Sequence, residues 1–118
     1  MEPEDLLRGS DIGMNVYERL QEVVSGLGTF EVKTSKSQIT FRRRRGFAYL
    51  WRPGQYLRNP TAEVVLSIVL GRHDESDRFK EVAHPSRRHW MHHLELHTPG
   101  EIDSEVVGWL REAMDRAG

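Results

Sequence analysis

SQITFRRRRGFAYLWRP, residues 37–53, holds the clearest strand-pair pattern and the densest charge in the chain. On its first arm Ile39 and Phe41 share a face. On its second arm Phe47, Tyr49 and Trp51 alternate with Ala48 and Leu50, the period of two that a strand requires. Gly46 lies between the arms, where it is expected to supply the positive φ that a tight connection needs. The stretch therefore predicts a hairpin, and the rest of the chain has to supply further strands and a layer to cover them.

Upstream, TFEVK (29–33) is rich in strand formers and predicts a short first strand. Before it, Val16, Leu20, Val23, Val24 and Leu27 recur at helical spacing, and Asn15 followed by Glu18 resembles a capping box, so a helix is expected over 15–27 with Gly26 and Gly28 as its stop. Residues 1–10 show no sustained periodicity. They are expected to be a flexible leader reaching to residue 12, with a single domain over 13–118.

Downstream, EVVLSIVLG (63–71) puts Val64, Leu66, Ile68 and Leu70 on one face and Val65, Ser67 and Val69 on the other. Apolar on both faces, it predicts a central, well-covered strand. RFKEVAH (78–84) predicts a fifth strand ended by Pro85. HWMHHLELH (89–97) alternates Trp90, His92, Leu94 and Leu96 against Met91, His93, Glu95 and His97. Asp103 is placed to cap a last helix over 104–116, with Val106, Trp109, Leu110, Ala113 and Ala117 as its buried stripe and Gly108 a small cost within it. The pattern adds up to an α+β fold: two layers, a mainly antiparallel sheet of about six strands, and an N-terminal and a C-terminal helix packed on one face.

Composition narrows the class of function. With 118 residues, 37% hydrophobic and 30% charged, and a mean hydropathy of -0.62, the chain fits one core with a heavily solvated surface. It has no cysteine, which excludes disulfides, thiolate chemistry and cysteine-based zinc sites. The longest apolar run, residues 64–70, is far short of the roughly 20 residues a spanning helix needs, and the acidic N-terminus lacks the features of a signal peptide. A cytoplasmic location without a membrane partner is expected. No P-loop, G-x-G-x-x-G, G-x-S-x-G or H-E-x-x-H pattern is present, and no cofactor is expected.

Charge is segregated along the chain. Residues 32–62 hold eight Lys or Arg and no Asp or Glu, whereas the flanking segments are net acidic and the whole chain carries -1. Lys36, Arg42, Arg44, Arg45 and Arg52, with Arg58 nearby, are candidates for attracting phosphate. Tyr49, Trp51 and Tyr56 offer rings against which bases could stack. On a strand the four consecutive arginines must alternate, Arg42 and Arg44 against Arg43 and Arg45. The competing reading is a solvated hairpin whose arginines pair with the acidic helices and whose aromatic residues are core. A second candidate is the row His93, Glu95, His97 on one strand face, where two imidazoles and a carboxylate have the residue types of a zinc site, with His84 or His89 as a further ligand. His92, on the Trp90 and Leu94 face, reads as a hydrogen-bonded core histidine.

These features favour a binding module for an anionic ligand, nucleic acid among them, with Lys36, Arg42, Arg44, Arg45, Arg52 and Tyr56 as its contacts. The alternative from the enzyme class is metal-assisted hydrolysis on the histidine strand. A third reading is homodimerisation, or binding of another protein, through an uncovered apolar sheet face.

Five segments, KSQITFRRRRGFAYLWRP, VVLSIVLGR, SDRFKEV, WMHHLEL and IDSEVVGWLREA, together resemble the bacterial family known as domain of unknown function 5655, over roughly residues 15–117. The resemblance implies a small bacterial domain found alone or joined to other domains, and it brings no activity, cofactor or catalytic residue with it.

Overall fold

The computed structural model describes residues 1–55 and 61–118. Six strands form one sheet in the order β1-β2-β3-β4-β6-β5, and every neighbouring pair is antiparallel. They are β1 (Glu31–Thr34), β2 (Ile39–Arg42), β3 (Gly46–Trp51), β4 (Val64–Leu70), β5 (Glu81–Ser86) and β6 (His89–Leu96). Among the described residues three α-helices accompany them: α1 (Pro3–Leu6), α2 (Asp11–Ser25) and α3 (Ser104–Ala117). The expected α+β architecture is the observed one.

Alternation decides which side of the sheet is covered. Ile39 and Phe41 of β2, Ala48 and Leu50 of β3, Val64, Leu66, Ile68 and Leu70 of β4, and Leu94 and Leu96 of β6 all enter one core. They meet Val16, Leu20 and Val24 of α2 and Val106, Leu110, Ala113 and Met114 of α3. Each fully buried Leu, Ile or Val contributes about 1.5–3 kcal/mol, which makes β4, buried at all seven positions, the anchor of the fold. The other side of the sheet carries no helix among the described residues.

Phe47 departs from the expected alternation. It is 1% exposed and belongs to the core, although Tyr49 and Trp51 face the other way. The reason is a β-bulge: Phe41 pairs with Ala48 and Arg42 with Gly46, so Phe47 is the extra residue of β3 and is turned back toward the helices. Gly46 likewise has a different role from the expected one. It is the first residue of β3 rather than a turn of positive φ. What it provides is room, since a Cβ there would lie 2.2 Å from the Tyr49 hydroxyl.

Other expectations need correction at the ends of elements. The first long helix starts at Asp11 rather than Asn15, because Ser10 is its cap. The Ser10 hydroxyl accepts from the Gly13 N–H at 2.9 Å and donates to Glu63 Oε1 at 2.6 Å. Residues 3–10 are not a frayed leader: α1 brings Leu6 and Leu7 into the core, at 4% and 1% exposure. A single helical turn shows no periodicity, so the sequence could not reveal it. The fifth strand begins at Glu81 and runs through Pro85 to Ser86. It is an edge strand with a register shift between Ala83 and Ser86, the setting in which a residue without an N–H is tolerated. The last helix is capped as expected, Asp103 Oδ1 accepting from the Val106 N–H at 3.2 Å.

Candidate functional site

The arginine run forms the β2–β3 turn and leans on the carbonyl end of α3. The backbone N–H of Arg44 donates to Ala117 O at 3.0 Å and that of Arg45 to the same oxygen at 3.4 Å. Arg45 Nη2 donates to Arg116 O at 2.9 Å, and Arg43 Nη1 to Met114 O at 3.5 Å. The last carbonyls of a helix lack partners and carry the negative end of its dipole, so cations and donors are favoured there. Arg116 continues the chain of contacts by donating from Nη2 to Arg88 O at 2.8 Å in the β5–β6 turn. Its guanidinium lies over Gly71, where a Cβ would come within 2.6 Å of it.

Two turns distant in sequence thus meet around the end of α3. Arg42, Arg43, Arg44, Arg45, Arg87, Arg88 and Arg116 gather at one pole of the molecule. Among the described residues none of the seven forms an ion pair with a carboxylate, so the expectation that the hairpin arginines pair with acidic helices is corrected. The side chains of Arg42, Arg43, Arg45 and Arg116 donate to backbone carbonyls, and those at the end of α3 offset only part of the positive charge. Arg42 also keeps its Nε buried without a hydrogen-bond partner among the described residues. A dimple of about 10 Å³, on the order of one water molecule, opens between Arg45, His89 and Arg116, with Gly46 and Val69 also in its wall.

The remaining sequence candidates lie elsewhere. Lys36 sits in the β1–β2 turn, at the opposite end of β2 from Arg43–Arg45. Arg52 follows β3 at that same far end, its Nη1 donating to Arg8 O at 2.8 Å. The expected set is therefore split between two ends of the hairpin. Tyr56 and Arg58 lie outside the described residues.

The open sheet face is built from cross-strand rows. One row runs Lys33, Thr40, Tyr49, Ser67, His93, Glu81 across all six strands. At its centre the Trp51 indole N–H donates to Ser67 Oγ at 2.8 Å, and Ser67 Oγ lies 2.7 Å from His93 Nδ1. An indole can only donate, so the Ser67 hydroxyl accepts from it and has its own proton to give to His93. Burial pushes the His93 imidazole below its usual pKa, with Glu81 opposing, and a neutral ring with Nδ1 as acceptor fits that arrangement. Ser67 is 1% exposed; its hydroxyl braces the sheet and is not offered to a substrate.

The chain is matched over residues 4–117 by the family model described as a domain of unknown function, DUF5655. It belongs to this family. No curated protein and no solved structure matches it. The DUF5655 match takes in α1 as well as the sheet and both longer helices.

In this DUF5655 domain the histidine strand is occupied by internal contacts. His93 is engaged by Ser67. Glu95 accepts from the Thr61 hydroxyl and pairs with Lys80 Nζ at 3.3 Å, contacts that hold its carboxyl below the ordinary range. His97 lies beyond the end of β6, its Nδ1 3.6 Å from Glu101. Among the described residues no group of three or more His, Asp or Glu side chains is arranged to hold a metal ion. His92 is a core histidine as expected, fully buried with both ring nitrogens engaged. Among the described residues the exposed large hydrophobics are Met1 and Ile12, neither on the sheet, and no helix is long and apolar enough to cross a membrane.

Sequence reasoning missed Arg87, Arg88 and Arg116, because they belong to a segment whose overall charge is acidic. The pair Arg87-Arg88 in a predicted turn gave no signal of its own: in a simple meander the turns after strands 2 and 5 lie at opposite ends, and it is the pairing of β6 with β4 that brings them to the same end.

Proposed function

We propose that this domain binds an anionic polymer through the arginine pole formed by the β2–β3 turn, the β5–β6 turn and the end of α3. The observation that carries the reading is the clustering of seven arginines, none paired with a carboxylate among the described residues, four of which (Arg42, Arg43, Arg45 and Arg116) are held by side-chain bonds to backbone carbonyls. The four guanidinium groups held by carbonyls are pre-oriented, and each keeps most of its five donors for a ligand; planar forks of this kind match phosphate oxygens two at a time. Assembling like charges without counter-charges works against folding, so a ligand that supplies the negative charge gives the cluster a purpose.

Binding by such a surface releases counterions, and its salt dependence counts the contacts. Fluorescence anisotropy with a labelled single-stranded oligonucleotide across a salt series is the test. With four phosphates contacted, log K should fall against log salt with a slope of about -3, at about 0.7 per contact. Arg44→Glu and Arg87→Glu should each weaken binding and flatten the slope, while Lys36→Glu and Arg52→Glu, at the other end of the hairpin, should leave it nearly unchanged. Absence of binding at low salt, or equal losses from both ends, overturns the reading.

A further inference from the structure

Tyr49 stands apart from the other aromatic residues of the sheet. Trp51 is tied to Ser67 and meets His93 edge-on, with ring centroids 6.0 Å apart. Phe47 is in the core, Phe79 packs on Trp109 and His92, and Trp90 stacks on His84. Tyr49 has no ring partner among the described residues. Its cross-strand neighbours are Thr40 on β2 and Ser67 on β4, both too small to cover an aromatic ring. The side chain runs back along β3 over Gly46, the residue whose missing Cβ leaves room for the phenol. Gly46 is also a wall of the dimple between Arg45, His89 and Arg116. A half-exposed ring and a small dimple flanked by Arg45 and Arg116 therefore share one residue between them.

Resting on the arginine-pole reading, we infer that the polymer is a single-stranded nucleic acid, with its phosphates against the exposed guanidinium groups of the two turns and a base stacked on Tyr49. Every base has a π-face, so a single ring gives a preference for nucleic acid without a preference for sequence. A duplex keeps its bases stacked on each other and cannot offer one to the ring, which restricts the site to unpaired strands. The phosphates on either side of the stacked base meet the exposed guanidinium groups of the two turns.

Three probes of matched length separate this inference from the reading beneath it: a labelled single-stranded DNA 12-mer, an abasic deoxyribose-phosphate strand, and inorganic polyphosphate. The 12-mer should bind about 5- to 150-fold more tightly than the abasic strand, the range for one stacked base. Tyr49→Ala should abolish that gap and leave affinity for the abasic strand unchanged, whereas Tyr49→Phe, which keeps the ring, should preserve the gap. Equal binding of all three probes by the unaltered protein overturns the nucleic-acid inference and leaves polyanion binding standing. Failure of all three to bind overturns both.

Discussion

At the scale of single residues His92 is the most constrained titratable group. Its Nδ1–H donates to Trp90 O at 3.0 Å and its Nε2 accepts from the Asp74 N–H at 3.0 Å, so one neutral tautomer satisfies both contacts. Burial, the largest influence, depresses its pKa below 6.5, with the Trp90 carbonyl and Asp74 opposing and His73 adding to the fall. A histidine with a depressed folded pKa takes up its proton first in the unfolded chain. Its contribution to stability is therefore complete above about pH 6.5 and is lost as pH falls from there toward the folded pKa. The urea midpoint should drop between about pH 7.5 and pH 5.5, and drop less in His92→Gln; His93, depressed by burial in the same direction, adds to the wild-type slope. A midpoint independent of pH over that interval would sink the argument. The sequence already assigned His92 to the core face from strict alternation along β6. It could not reveal the Asp74 contact, which depends on where the loop after β4 folds back.

Among elements, α3 shows most clearly what was legible and what was not. Its cap at Asp103 and its buried stripe follow from local chemistry and a 3.6-residue period, and both are observed. Its C-terminal end, held by the arginine turn, was hidden because that contact joins residues about seventy positions apart. The bulge at Phe47 was hidden for a related reason. One extra residue on a strand leaves no mark on composition, yet it reverses a side chain's face. Within α3, Gly108 faces a shallow groove with Arg19, Val107 and Arg111, and a Cβ there would meet nothing within 4 Å. Replacing it removes the helix penalty of glycine without a steric cost. Gly108→Ala should raise stability by about 1 kcal/mol and the melting temperature by roughly 4 °C. A decrease on thermal unfolding would mean that the groove is closed in solution.

For the molecule as a whole, two sets of arginines have opposite consequences. Arg72 grips Glu112 with Nε and Nη2 at 3.0 and 2.9 Å and Asp74 with Nη1 at 2.9 Å. Arg78 bridges Asp103, Glu105 and the Glu101 carbonyl at the start of α3. These pairs tie loops to the helix layer, and both arginines are held charged well above any accessible pH, Arg72 first by its bond to Glu112 and Arg78 first by its bond to Glu105. The seven at the pole have no such counter-charges among the described residues. A count of charge along the sequence found the β2–β3 cluster but read residues 63–118 as acidic, because neutralised and uncompensated arginines look alike until the fold sorts them. Half-exposed, bidentate contacts of the Arg72 kind are worth about 0.2–1 kcal/mol each after solvent screening. Arg72→Ala should therefore lower the melting temperature by several degrees at low salt. Arg87→Ala and Arg88→Ala, which remove repulsion and no ion pair, should leave it unchanged or raise it while weakening oligonucleotide binding. Side-by-side thermal melts of the three variants decide the matter: if the pole variants lose as much stability as Arg72→Ala, their charges are structural, and the pole has no surplus to offer a ligand.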